Sequence, residues 1–197
     1  DKMPSAYEET WFQADGPGNG SGAGNMWTYS NSSMEGVKLE ASFTPSGGGQ
    51  VDSSTDVGIT YTGIDGLTIG VATGTDSGGT VDVDNSTRYI TYAYDAFTFG
   101  YQSNDMDSAT AGADEAYTAY AVSYAVNDDL SISYGYSELD YEGSTVTTDS
   151  TQEATAISVS YTMGSMAIAA TRADVDNQDG NSIQDGEGYE VNVAFTF

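Results

Sequence analysis

The stretch Leu130-Ser131-Ile132-Ser133-Tyr134-Gly135-Tyr136-Ser137 decides the fold. Leu130, Ile132, Tyr134 and Tyr136 alternate with Ser131, Ser133, Gly135 and Ser137. Successive side chains of an extended chain point to opposite faces, so this octapeptide reads as a strand with one apolar and one small, polar face. The pattern recurs. Val57, Ile59 and Tyr61 oppose Gly58, Thr60 and Thr62, and Leu67, Ile69 and Val71 oppose Thr68, Gly70 and Ala72. Near the C-terminus Tyr189, Val191, Val193, Phe195 and Phe197 oppose Gly188, Glu190, Asn192, Ala194 and Thr196. Eleven such segments are expected, at 26–30, 37–44, 56–62, 67–73, 88–94, 97–103, 117–125, 130–138, 153–161, 166–172 and 188–197. Three Pro and 24 Gly, with abundant Thr, Ser, Tyr and Val, favour short strands over helices.

The connections alternate as well. Long ones (45–55, 74–87, 104–116, 139–152, 173–187) take turns with short ones (31–36, 63–66, 95–96, 126–129, 162–165). That is an antiparallel up-and-down meander with its long loops at one end and its tight turns at the other. Transmembrane β-barrels have this asymmetry, whereas a Greek-key sandwich gives no reason for it. Tyr61, Tyr94, Phe97, Tyr124, Tyr161 and Phe195 fall near the short turns, and Tyr101, Tyr136 and Tyr189 near the long loops. Two aromatic girdles around an aliphatic band are the expected mark of a barrel in lipid.

Composition narrows the function. The 197 residues carry 30 Asp plus Glu against 4 Lys plus Arg, a net charge of −26. Such a chain repels nucleic acid. Disordered acidic chains are poor in aromatic residues, and this one has 15 Tyr, 6 Phe and 2 Trp. With no Cys and no His there is no disulfide, no thiolate metal site and no Ser-His-Asp or Cys-His constellation. A glycosidase needs only two carboxylates, but acids spread over five loops select no pair, so an enzyme is not expected. No run of 18 apolar residues exists, which excludes a membrane-spanning helix and leaves a barrel open. Sixteen of the acids fall in the five long links and five in the strands as drawn, so the acids are expected to avoid lipid-facing surfaces. The chain begins Asp1-Lys2-Met3-Pro4, which implies either a removed leader or a start inside a longer protein.

The ending Tyr189-Glu190-Val191-Asn192-Val193-Ala194-Phe195-Thr196-Phe197 resembles the last strand of Gram-negative porins, with its terminal Phe. Asn25-Met26-Trp27-Thr28-Tyr29-Ser30, followed by Met34-Glu35-Gly36-Val37-Lys38-Leu39-Glu40-Ala41-Ser42-Phe43, resembles the porin hairpin after the constriction loop. Together these cover roughly 26–197. The resemblance is to general porins, sixteen-stranded homotrimers of the outer membrane that pass small hydrophilic solutes by passive diffusion. It implies that residues 1–24 are the tail of the inward-folded constriction loop and 25–197 strands six to sixteen, with five strands absent. Residues 1–24 contain no family loop motif that matches.

On this reading Glu8, Glu9 and Asp15 are acids of the inward loop, and Lys38 is the cation of the facing wall. Glu40 shares the parity of Lys38, and Glu190 also faces inward. Solvated loop charge explains Glu8, Glu9 and Asp15 equally well. The excess of acid predicts a preference for cations. Arg88 and Arg172 share parity with Ile90 and Ile168 and are expected at the outer rim, there to meet lipopolysaccharide phosphates or simply to snorkel. Asp174, Asp176 and Asp179 form a weak calcium candidate, with an unspecific acidic loop the blander reading; Gln178 and Asp179 stand where an EF-hand loop needs an acid and a Gly. No other cofactor is expected. The expected partners are membrane lipid, lipopolysaccharide, the absent strands and further copies of the chain. The competing fold is a soluble secreted acidic β-domain, such as an adhesin or calcium-binding lectin. Its outer face would carry long charged side chains, where this sequence has Gly, Ser, Thr and Ala.

Overall fold

The computed structural model describes residues 26–47, 51–77, 79–110, 113–142 and 150–196. The segment 1–24, with Glu8, Glu9 and Asp15, lies outside them. Eleven strands follow one another: β1 (Trp27–Met34), β2 (Val37–Thr44), β3 (Ser54–Ile64), β4 (Leu67–Asp76), β5 (Val83–Tyr94), β6 (Phe97–Ser108), β7 (Asp114–Asn127), β8 (Leu130–Glu142), β9 (Ser150–Met163), β10 (Met166–Asp176) and β11 (Gly186–Phe195). They form one sheet in sequence order, each antiparallel to the next. A 3-10 turn, Gln178–Gly180, is the one helical element described.

At the turn ends the strand starts match the sequence, while β1, β3, β7 and β9 run two to four residues past their expected ends at 30, 62, 125 and 161. Strands β2, β4, β6, β8 and β10 start at the expected Val37, Leu67, Phe97, Leu130 and Met166. The hairpins close through two residues each, with left-handed backbone at Gly36, Gly66, Asp95 and Gly164. Left-handed backbone lets a tight turn follow the twist of the flanking strands, and Gly or Asp tolerates it best; the Asp128-Asp129 turn between β7 and β8 closes without it.

Loop ends do not match. From β3 to β10 the strands run several residues past their expected limits, into Asp-, Asn- and Ser-rich sequence. Cross-strand side-chain bonds hold this part of the ladder. Thr75 donates to Asp84, Ser86 to Asp105 at 3.3 Å, Thr151 to Asp140, and Ser54 to Asp76 at 3.1 Å. Each joins strands through a hydroxyl and a carboxylate, residue types that single-residue strand preference undervalues.

The pairing register carries the clearest mark of a barrel. Val37, the first residue of β2, pairs with Tyr61. The partners then run Ile69, Ile90, Tyr101, Tyr120, Tyr136, Thr155, Asp174 and Glu187. A row that begins at the turn end of β2 therefore ends at the loop end of β11, where Glu187 lies eight residues from Phe195. Nine sideways steps of about 4.8 Å against eight residues of about 3.4 Å give a strand tilt of about 30°. A stagger that accumulates in one sense is what closure demands.

One face is apolar and exposed, the other small and covered. Val57, Ile59, Ile69, Val71, Ile132, Val159, Val191 and Val193 are exposed, and Leu67 and Ile168 half-buried. On the opposite face Ala119, Ala121, Ser133, Ser137, Ala156, Ser158 and Thr171 are buried, as befits a concave surface. Tyr89 shows how tightly that surface packs. Its ring crosses Gly70 so closely that a Cβ there would stand 2.1 Å from Tyr89 Cε1, and its hydroxyl reaches Thr60 Oγ1 at 3.3 Å.

The two faces exchange character along the strands. In the turn-end half, aromatic and aliphatic residues point outward. In the loop-end half of β5 to β11 the outer face carries Asp84, Asp105, Asp107, Asp114, Glu138, Asp140, Glu142, Glu153, Asp174, Asp176 and Glu187. There the inner face holds Tyr117, Leu139, Tyr141 and Val175. The outer-face acids begin where the apolar band stops, so the band suited to lipid carries none among the described strands.

Candidate functional site: the inner wall

Two regions of the inner face differ in chemistry. Across β1 to β4 a concavity of about 460 Å³ is lined by Thr28, Ser30, Glu40, Ser42, Asp56 and Ala72, among others. Small residues on β3 and β4 make the room: Gly58 pairs with Ala72, and Gly74 lies against the Asp56 carboxylate. Lys38 and Glu40 project to this side, as parity predicted, and pair at 2.7 Å while each stays about half exposed. Ser42 Oγ donates to Asp56 Oδ2 at 2.6 Å.

Asp56, Asp76 and Glu115 are inward acids that sequence reasoning passed over. Asp56 was legible, since it shares a face with Gly58 and Thr60. Asp76 and Glu115 lie in stretches read as loops and so had no face. Glu190 faces inward as expected and accepts a hydrogen bond from Asn192 Nδ2 at 2.5 Å. Among the described strands the inner face therefore bears Glu40, Asp56, Asp76, Glu115 and Glu190 against the single cation Lys38. An excess of carboxylates gives this wall a negative potential.

Over β7 to β10 the loop-end part of the inner wall is dry. Tyr117, Leu139 and Val175 are almost wholly buried, with Ala119, Ala121 and Ala154 beside them. The connection from β10 to β11 folds onto this region. Asn177 Nδ2 donates to the Thr151 carbonyl at 3.0 Å, and the Asp179 N–H donates to Gln152 Oε1 at 3.0 Å. Gly180 is buried against the Tyr141 ring, in a left-handed conformation with φ of 68°.

The outer-rim residues are already engaged. Arg88 lies 3.6 Å from Asp105 and donates to Ser103 at 3.2 Å. Arg172 contacts Asp174 at 2.9 Å and Glu187 at 3.5 Å, and its guanidinium lies over the Tyr189 ring. Both point outward as expected, but on a surface dominated by acid. The calcium expectation is not met by a converging ligand set. Asp174 is tied to Arg172, Asp176 points outward from β10, and Asp179 sits in the 3-10 turn; among the described residues no three acids are grouped to hold a metal ion. No described helix is long and apolar enough to cross a membrane, which says nothing of strands.

Residues 1–151 match a family described as Gram-negative porin. No curated protein sequence matches the chain. Among solved structures, OccK5 (OpdH) of Pseudomonas aeruginosa is similar with a TM-score of 0.67 at 13% identity, over 87% of this chain and 58% of that one. A loop L8 deletion mutant of OmpT, an outer membrane protein of Vibrio cholerae, is similar with a TM-score of 0.64 at 14% identity, over 86% and 61%. OpdQ of Pseudomonas aeruginosa follows at 0.58 and 12%, over 89% and 59%. At such identities the likeness concerns the fold, and the chain spans about three fifths of the length of these structures.

Proposed function

Because this chain belongs to the Gram-negative porin family and so to the bacterial outer membrane, we propose that it forms most of a closed β-barrel through which small hydrophilic solutes and ions diffuse passively, with preference for cations. The observation that carries this is the division of the sheet. Its turn-end outer face is an exposed apolar belt suited to lipid, and its opposite face is small, polar and acidic. A soluble adhesin or lectin would hide that belt in a core. Backbone groups left open in lipid cost several kcal/mol each, so the free edges of β1 and β11 call for further strands from the rest of the barrel.

The finer readings extend the same proposal. Residues 1–24 form the tail of an inward loop whose Glu8, Glu9 and Asp15 face Lys38, and the barrel assembles as a homotrimer. Lipid and lipopolysaccharide surround it, although phosphates at Arg88 or Arg172 would have to displace Asp105, Asp174 and Glu187. The test is the full-length protein in planar bilayers and in liposomes. Stepwise conductance and swelling in small sugars are expected; sealed bilayers and unswollen liposomes would refute the channel.

A further inference from the structure

The β10–β11 connection does more than link two strands. Three residues within four, Asn177, Asp179 and Gly180, have left-handed backbone, with φ of 54°, 56° and 68°. The turn is closed on itself by Gln178 N–H to the Gln184 carbonyl at 2.7 Å and by Asn181 N–H to the Gln178 carbonyl at 3.0 Å. Its attachments to the sheet lie on the inner side. Gln152 is buried, shares its strand face with Ala154 and Ala156, and accepts from the Asp179 N–H. Tyr141, on the same face of β8, packs on Gly180 so closely that a Cβ there would stand 2.9 Å from its ring. A connection that rose freely into solvent would make neither contact.

We propose that this connection is a fixed shutter, latched by Gln152 and Tyr141, that narrows the loop-end mouth on the β8–β10 side. The solute path is thereby confined to the β2–β6 side, where Glu40 and Asp56 stand beside the concavity. This rests on the channel reading above. The dry inner patch supports it, because a water-filled path along β7 to β10 would wet Leu139 and Val175, which are 1% exposed. The polar opposite wall supports it independently. Pore cross-section sets conductance, and charge beside the path sets ion preference.

The experiment compares full-length wild type, Gln152→Ala and a variant whose residues 177–184 are replaced by a short Gly-Ser link, as single channels in planar bilayers. Removing the latch or the shutter is expected to raise conductance roughly 1.5-fold or more, with the larger effect from the loop replacement. Ile183→Ser, at an exposed position of the same connection, is expected to leave conductance unchanged. Glu40→Gln with Asp56→Asn should instead move the reversal potential. The loop replacement leaves every strand intact, so it decides the matter even where Gln152→Ala assembles poorly. Wild-type conductance in both latch variants would overturn the shutter while the channel stands. A wild type that never conducts would remove the channel, and the shutter with it.

Discussion

The turn-end and loop-end halves of the same strands obey opposite rules. On β8, Leu130, Ile132, Tyr134 and Tyr136 point outward below, and Glu138, Asp140 and Glu142 above. Inward, Ser131, Ser133 and Gly135 give way to Leu139 and Tyr141. The lower half is built for lipid outside and water inside. The upper half is built as a soluble protein is, with a small core within and charge without. The level of the change, just above Tyr101, Tyr120 and Tyr136, is the level where hydrocarbon should end. These three rings meet in series across adjacent strands, Tyr101 and Tyr120 tilted at 5.3 Å between centroids and Tyr120 and Tyr136 stacked at 6.4 Å.

The largest expected effect tests the upper core. Leu139→Ala should destabilise the folded barrel by about 2–5 kcal/mol, the range for a buried leucine, measured by urea unfolding in detergent micelles. A cost under 1 kcal/mol would mean that the loop-end inner face is wet. Next, Val159→Arg in the outer band should cost about 2–4 kcal/mol of stability in a lipid bilayer. Thr155→Arg, four residues higher on the same face and facing Asp174, should cost little or nothing. Equal costs at the two positions would erase the boundary between the halves.

That boundary was only half legible in the sequence. The lower half announces itself by strict alternation, as in Leu130 to Ser137; all eleven strands follow from it, with the turn-side starts of β2, β4, β6, β8 and β10, while β1, β3, β7 and β9 run two to four residues past their expected turn-side ends. In the upper half alternation persists but inverts. Tyr117, Leu139 and Val175 take the inward parity while Asp and Glu take the outward one, so a search for apolar-out strands stops too early and assigns the remainder to loops. For the inner wall, parity sufficed for Lys38, Glu40 and Glu190. It failed for Asp76 and Glu115 because their strand segments went unrecognised. The folding-in of the β10–β11 connection left no sequence trace beyond Gly180, because its contacts run from Asp179 to Gln152 and from Gly180 to Tyr141, 27 and 39 residues earlier.

Smaller effects sharpen the comparison. Gly70→Ala must displace the Tyr89 ring and should cost about 1–3 kcal/mol, read from the same urea titration. Gly58→Ala, whose Cβ would meet Ala72 Cβ at 3.3 Å, should cost less. Smallest of all, Asp107→Asn removes one of two carboxylates placed directly opposite each other across β5 and β6. It should stabilise the loop end by about 0.2–1 kcal/mol at low salt, and less at high salt.

The reversal potential of the full-length protein under a salt gradient tests the central claim most directly. An inner wall with five acids and one lysine among its described strands should give a clear cation-selective sign near 0.01 M mean salt, where screening extends about 30 Å. Near 1 M, where it extends about 3 Å, the preference should shrink towards zero. A potential of anion-selective sign at low salt, or none at either concentration, would contradict the account.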